Sequence, residues 1–202
     1  MRKLALLATT AIIVAAPAFA QTQPDRARAA QSQNAQSQGG TQAAPTAGAR
    51  AEVVNAAEFV RMAAMSDMFE IESSRLAGQR SQNAQVKEFA QHMMRDHQKT
   101  TTELQQMIRQ ASAAPLSGMQ MPQSLDQRHQ AMVQQLQGAQ GAQFDHLYAQ
   151  QQVQAHQMAV DLFRNYGQSG DNAALKQWAS QTLPTLQQHL QQAQQLQRST
   201  QG

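Results

Sequence analysis

The stretch His92-Met93-Met94-Arg95-Asp96-His97 places two imidazoles, two thioethers and a carboxylate within six positions. All three donor types bind transition metals, so the segment invites a metal-site reading. A helix, however, turns about 100° per residue, and adjacent residues then point to different sides. On the helical wheel Met93 and His97 fall in an apolar stripe with Val86, Phe89, Ala90, Leu104, Met107 and Ile108. Asp96 lies on a flank, and His92 and Arg95 turn toward solvent. Of the two inward residues only His97 remains a strong candidate ligand, and its partners must come from other helices.

Three other helices each offer such a group. Glu70 sits in the middle of the stripe Phe59, Met62, Ala63, Ser66, Phe69, Ser73 and Ala77. His189 lies within the stripe Leu175, Trp178, Ala179, Thr182, Leu186, Leu190, Ala193 and Leu196. His156 falls toward the edge of a stripe running from Phe144 to Tyr166, near Val160 and Phe163. With a rise of about 1.5 Å per residue, Glu70 and His97 come within about one helical turn of each other in height, and His156 and His189 within about two. The spacing therefore points to an interior metal site of Glu70, His97, His156 and His189, a donor set that suits Zn, Fe, Mn or Cu(II). The alternative is a metal-free network. In it the same groups hydrogen-bond one another and Ser66, Ser73, Thr100, Tyr148 and Thr182, fixing helix register.

Met62, Met65 and Met68, with Met93, Met94, Met119 and Met121, raise a separate Cu(I) reading, since thioethers with imidazole select that ion. Methionine is also a common core filler, and Met65 and Met68 lie on different sides of their helix. No HExxH, glycine-rich phosphate loop or G-x-S-x-G occurs. The Asp-x-x-His pair Asp126 and His129 falls on a short helix expected to be exposed. The sequence reads as non-enzymatic.

The elements that position these groups are helices. Asn55 is placed to cap the first, with Glu58 reaching back to its amide and Val54 stapling onto Phe59. Helices are expected near 55–80, 83–111, 124–137, 140–168 and 171–198, broken at Gly78 to Asn83, Pro115 to Pro122, Gly138 to Gly141 and Gly167 to Gly170. Four long helices and one extended connection predict an all-α, ferritin-like four-helix bundle with a short extra helix in the crossover.

Before the bundle, residues 1–20 carry Arg2 and Lys3, an apolar run from Leu4 to Ala16, and Ala18-Phe19-Ala20. That is the pattern of a signal peptide cleaved after Ala20, with an apolar run too short for the ~20 residues of a membrane span. Residues 21–53, rich in Gln, Ala, Ser, Gly and Pro, read as a disordered linker to a helical domain over 54–198. A periplasmic or secreted location follows, with no membrane span after cleavage. The absence of cysteine excludes disulfides and thiolate sites.

Of the sixteen basic residues, Arg2 and Lys3 leave with the leader; the remaining fourteen face thirteen acidic ones, a net charge of +1. Without a basic run, and with only nine aromatic residues, nucleic-acid binding is not expected. The Gln-rich helix faces suit an envelope protein partner or a homo-oligomer, the interaction-module alternative to a metal site.

With the stripes placed, FEIESSRLA, VKEFAQHMMRDH, FDHLYAQQQVQAHQMAVDLF and LKQWASQTLPTLQQHL resemble the bacterial domain of unknown function 4142 family over about 54 to 198. The DH, FD-x-x-Y, AH and TLP-x-L-x-x-HL elements carry the likeness. It implies an exported ferritin-like helical protein, often labelled an outer membrane protein, although no β-barrel strands are read here. It also implies that Glu70, His97, Asp145, Tyr148, His156 and His189 are the positions the pattern is built around. Di-iron proteins of this architecture use Glu-x-x-His, whereas Met94 and Leu186 stand three before His97 and His189. Pro184, within the TLP element, removes an amide and frees the carbonyl of Ser180, so a kink is expected about one turn before His189.

Overall fold

The computed structural model describes residues 54–113 and 115–201. The leader expected over 1–20 and the linker expected over 21–53 lie outside them. Five helices follow in order: α1 Ala56–Arg80, α2 Ala84–Gln110, α3 Gln127–Gly138, α4 Gly141–Ser169 and α5 Ala173–Ser199. No strand occurs among the described residues.

Caps set the helix starts. Asn55 Oδ1 accepts the Glu58 amide at 2.9 Å, as expected, but the Glu58 carboxylate does not return the bond and pairs with Arg61 instead. A charge-assisted contact with guanidinium outcompetes a neutral backbone donor. α3 and α5 begin later than the sequence predicts because Asp126 and Asn172 serve as their N-caps, taking the amides of His129 and Leu175.

α1 pairs with α2 and α4 with α5, while α1 also packs on α4 and α2 on α5. An up-down-up-down bundle would instead put α2 beside α4, so the two hairpins are joined by a crossover, with α3 lying against α1 and α4. The hairpin of α4 and α5 is close at its turn. A Cβ on Gly167 would come 2.8 Å from the Ser180 hydroxyl, so a larger residue there would have to displace that side chain.

Two apolar clusters fill the bundle. One holds Phe69, Leu76, Phe89, Met93, Phe144 and Tyr148, with Ala193 and Leu196; the other holds Phe59, Leu104, Phe163, Tyr166, Trp178 and Leu186. Phe59 is stacked on Tyr166 at 3.9 Å between centroids and meets Trp178 edge-on. Between the clusters each long helix contributes buried polar residues: Asp67 and Glu70 from α1, His97 from α2, Gln152 and His156 from α4, and His189 from α5. A polar layer divides the core.

Some wheel assignments need correction. Met62, placed in the α1 stripe, is exposed, because the stripe drifts around the helix toward Val60 and Ala64. His156, placed at the edge, is 1 % exposed. His129 is not exposed either: its ring lies 5.3 Å from Phe69 while Nδ1 pairs with the capping Asp126. Pro184 lies on the exposed face of an unbroken α5, where the freed carbonyl of Ser180 has access to water.

Candidate metal centre

His97, His156 and His189 converge in the polar layer. Their ring centroids are 5.4 to 5.6 Å apart, and one ring nitrogen from each lies within 4.8 Å of the other two. All three side chains are at most 3 % exposed.

Each ring has one nitrogen engaged and one free. His97 Nδ1 pairs with Asp67 Oδ1 at 2.8 Å, His156 Nδ1 donates to the Gln152 carbonyl at 2.9 Å, and His189 Nε2 meets Asp96 Oδ2 at 2.8 Å. The opposite nitrogens, His97 Nε2, His156 Nε2 and His189 Nδ1, are buried without a protein partner. Metal-binding histidines show this pattern, the second nitrogen held by a carboxylate or carbonyl that fixes tautomer and orientation. A ligand-free core would be expected to satisfy such atoms, since each unpaired buried polar group costs roughly 1–3 kcal/mol. Around a tetrahedral ion with bonds of about 2.0–2.1 Å, ligand nitrogens stand roughly 3.3 Å apart, so modest inward shifts would close the group.

Charge is distributed asymmetrically. Burial lowers the proton affinity of His97, but the hydrogen bond and charge of Asp67, with Glu70 and Asp96, more than reverse this, and its pKa is raised. Burial, together with the charge of His97, holds His156 well below the ordinary imidazole value; the same causes bring His189 down to about 4, with Asp96 opposing. Protonation is therefore favoured on His97 over the other two imidazoles, whose lone pairs are available. Burial pushes Glu70 up to about 7, against the pull of His97.

A family model described as Domain of unknown function (DUF4142) matches residues 40–196. The chain belongs to the DUF4142 family. No curated protein matches it. This DUF4142 bundle is similar in structure to "CopM in the Cu(II)-bound form", with TM-score 0.58 and 20 % identity, covering 72 % of this chain and 97 % of that one. It is likewise similar to "CopM in the Cu(I)-bound form", with TM-score 0.58 and 19 % identity over 71 % and 96 % of the two chains. At these identities the likeness concerns the fold alone.

Of the positions singled out from the DUF4142 sequence, three meet directly. Glu70 is close but outside the group: Oε1 lies 3.7 Å from His156 Nδ1, the nitrogen already engaged with Gln152, and both carboxylate oxygens lack a hydrogen-bond partner. Asp145 and Tyr148 stand elsewhere. They precede His156 by eleven and eight positions, about 16 and 12 Å along α4. Tyr148 Oη shares a 2.8 Å hydrogen bond with Ser74 Oγ across α1 and α4, which makes it a register contact of the apolar layer.

The metal-free network is realised only in part. Thr100 donates to Asp67 rather than to a histidine ring, Ser73 donates to the Glu70 carbonyl, and Thr182 to the Trp178 carbonyl. No histidine is hydrogen-bonded to another among the described residues. Two members were missed in the sequence: Asp67, which anchors His97 and accepts from Thr100 and Thr101, and Gln152, whose amide reaches Ser73 at 3.2 Å. Asp67 stands three before Glu70, on the same helical face, and that spacing was the available signal.

Proposed function

We propose that this DUF4142 chain is an exported, non-enzymatic helical protein that binds one transition-metal ion in its core through His97 Nε2, His156 Nε2 and His189 Nδ1. The observation that carries the reading is the set of three unpartnered buried nitrogens on rings whose other nitrogens are already held. Glu70, Asp67 and Asp96 supply the negative charge that an ion held by neutral imidazoles lacks. Imidazole-rich sites suit Cu(II), Zn, Ni and Fe, with Cu(II) the tightest divalent ion. The copper-bound titles of the two CopM structures support testing copper first. The leader pattern of residues 1–20 supports a periplasmic or secreted setting.

The test is elemental analysis of protein purified from the periplasm, followed by melting curves with chelator and with added Cu(II), Zn(II), Ni(II) or Mn(II). A bound ion, or a rise in melting temperature with one of these metals that His156→Gln abolishes, supports the site. Metal-free protein whose melting temperature no metal raises sinks it.

A further inference from the structure

His189 belongs to two groups. Its Nδ1 is buried and free in the interior, while Nε2 meets Asp96 Oδ2 at 2.8 Å on the side facing α2. The same Asp96 oxygen lies 3.1 Å from His92 Nε2, and the His92 and His189 rings are 5.2 Å apart, edge to face. One donor atom each from His92, Asp96 and His189 lies within 4.8 Å of the others, a second grouping with metal-ligand dimensions. Unlike the inner one, it reaches water: the His92 and Asp96 side chains are 33 % and 31 % exposed.

Two grooves between α2 and α5 are lined by members of this trio. His92 lines one of about 430 Å³; Asp96 and His189 line the other, of about 390 Å³, which also reaches His97. The second groove runs past Thr182 and Thr185, on either side of Pro184. Asp96 of the outer trio thus lines the same groove as His97 and His189, two of the inner ligands.

We propose that His92, Asp96 and His189 Nε2 form an outer site that captures a divalent transition-metal ion from solvent and hands it to the inner triad through His189. This rests on the inner triad being where the ion finally resides. Two imidazoles and a carboxylate select borderline divalent ions such as Cu(II), Zn(II) and Co(II). A neutral imidazole carries one proton, so His189 serves one site at a time. With the ion outside, Nε2 coordinates and the proton is on Nδ1. With the ion inside, Nδ1 coordinates and Nε2–H donates to Asp96, which changes from ligand to orienting acceptor. Occupancy is one ion per chain at two alternative positions.

The experiment uses Co(II) as a spectroscopic probe and the full chain as wild type, His92→Ala, His156→Gln and His92→Ala with His156→Gln. Far-ultraviolet circular dichroism checks that each is folded. The expected results are one ion in wild type; the same final affinity within about 3-fold for His92→Ala but at least about 10-fold slower loading in stopped flow; one weaker ion in His156→Gln; and none in the double variant. Loading of His92→Ala at the wild-type rate overturns the outer site, as does a His156→Gln protein that binds no Co(II) while wild type does. If instead wild type and His156→Gln bind alike and only His92→Ala abolishes binding, the outer site stands as the sole site and the inner reading fails. Two ions bound at once in wild type refute the shared-imidazole handover.

Discussion

His97 Nδ1 lies 2.8 Å from Asp67 Oδ1, a buried pair joining α2 to α1, and the same carboxylate accepts hydroxyl hydrogen bonds from Thr100 and Thr101. With its lone pairs taken up in this way, Asp67 holds the His97 ring so that Nε2 is left for a ligand.

Asp67→Ala leaves the buried His97 ring without its carboxylate partner and two hydroxyls without their acceptor. A loss of about 3–5 kcal/mol in urea-unfolding stability is expected. Asp67→Asn, which keeps an acceptor oxygen, should restore part of that loss. In the Asn variant metal affinity should fall by about 10–100-fold, read by competition with a chromophoric chelator.

The metal-free protein should be most stable near pH 6.5. His156 and His189 have folded pKa values below the unfolded 6.5, the latter about 4, so the unfolded chain binds more protons below 6.5 and their contribution is lost as pH falls. Glu70, raised from 4.5 to about 7, acts in the opposite sense, its contribution being lost as pH rises between those values. His97, also raised, loses its contribution as pH climbs above 6.5. Two histidines against one carboxylate leave a net rise on the order of 1 kcal/mol per pH unit between about pH 5 and 6. Urea titrations across pH 5 to 8 check this; a stability still rising from 7 to 8 would contradict the assignment.

Metal binding near pH 6.5 should release protons, from His97 and from Glu70 beside it. Isothermal titration in buffers of different ionisation enthalpy measures the number. Glu70→Gln should make the metal-free protein more stable at pH 8, because a buried carboxylate no longer has to ionise, and should weaken metal binding in the same preparation. A Gln variant that is less stable at pH 8 would show that Glu70 is compensated in some other way.

Tyr148→Phe should cost about 1–2 kcal/mol by leaving the Ser74 hydroxyl unpaired, and Tyr148→Phe with Ser74→Ala should recover much of it. Metal affinity should be unchanged in both. A large affinity loss would place Tyr148 nearer the ion than its register contact with Ser74 implies.

Much of the architecture was legible because local rules and the apolar stripes agree. Asn55 caps the first helix as read, and the stripes of Phe59, Phe89 and Trp178 orient three helices toward one core. The inward placement of Glu70, His97 and His189 came from the same periodicity. Met62 shows its limit: a wheel assumes a fixed angle per residue, and over α1 the buried face drifts until a nominal stripe residue stands 37 % exposed.

The sequence by itself determined the helices, the cap at Asn55, the crossover architecture and that α2 and α5 turn a histidine inward, since these follow from spacing along one chain. Only the tertiary structure decided that His97, His156 and His189 meet while Glu70 stands beside them, that Asp67 and Asp96 hold two of the rings, and that Tyr148 serves Ser74. Those choices depend on the relative height and rotation of helices far apart in sequence. Differences of a few ångströms there separate a ligand from its neighbour, and no single helix's periodicity contains them.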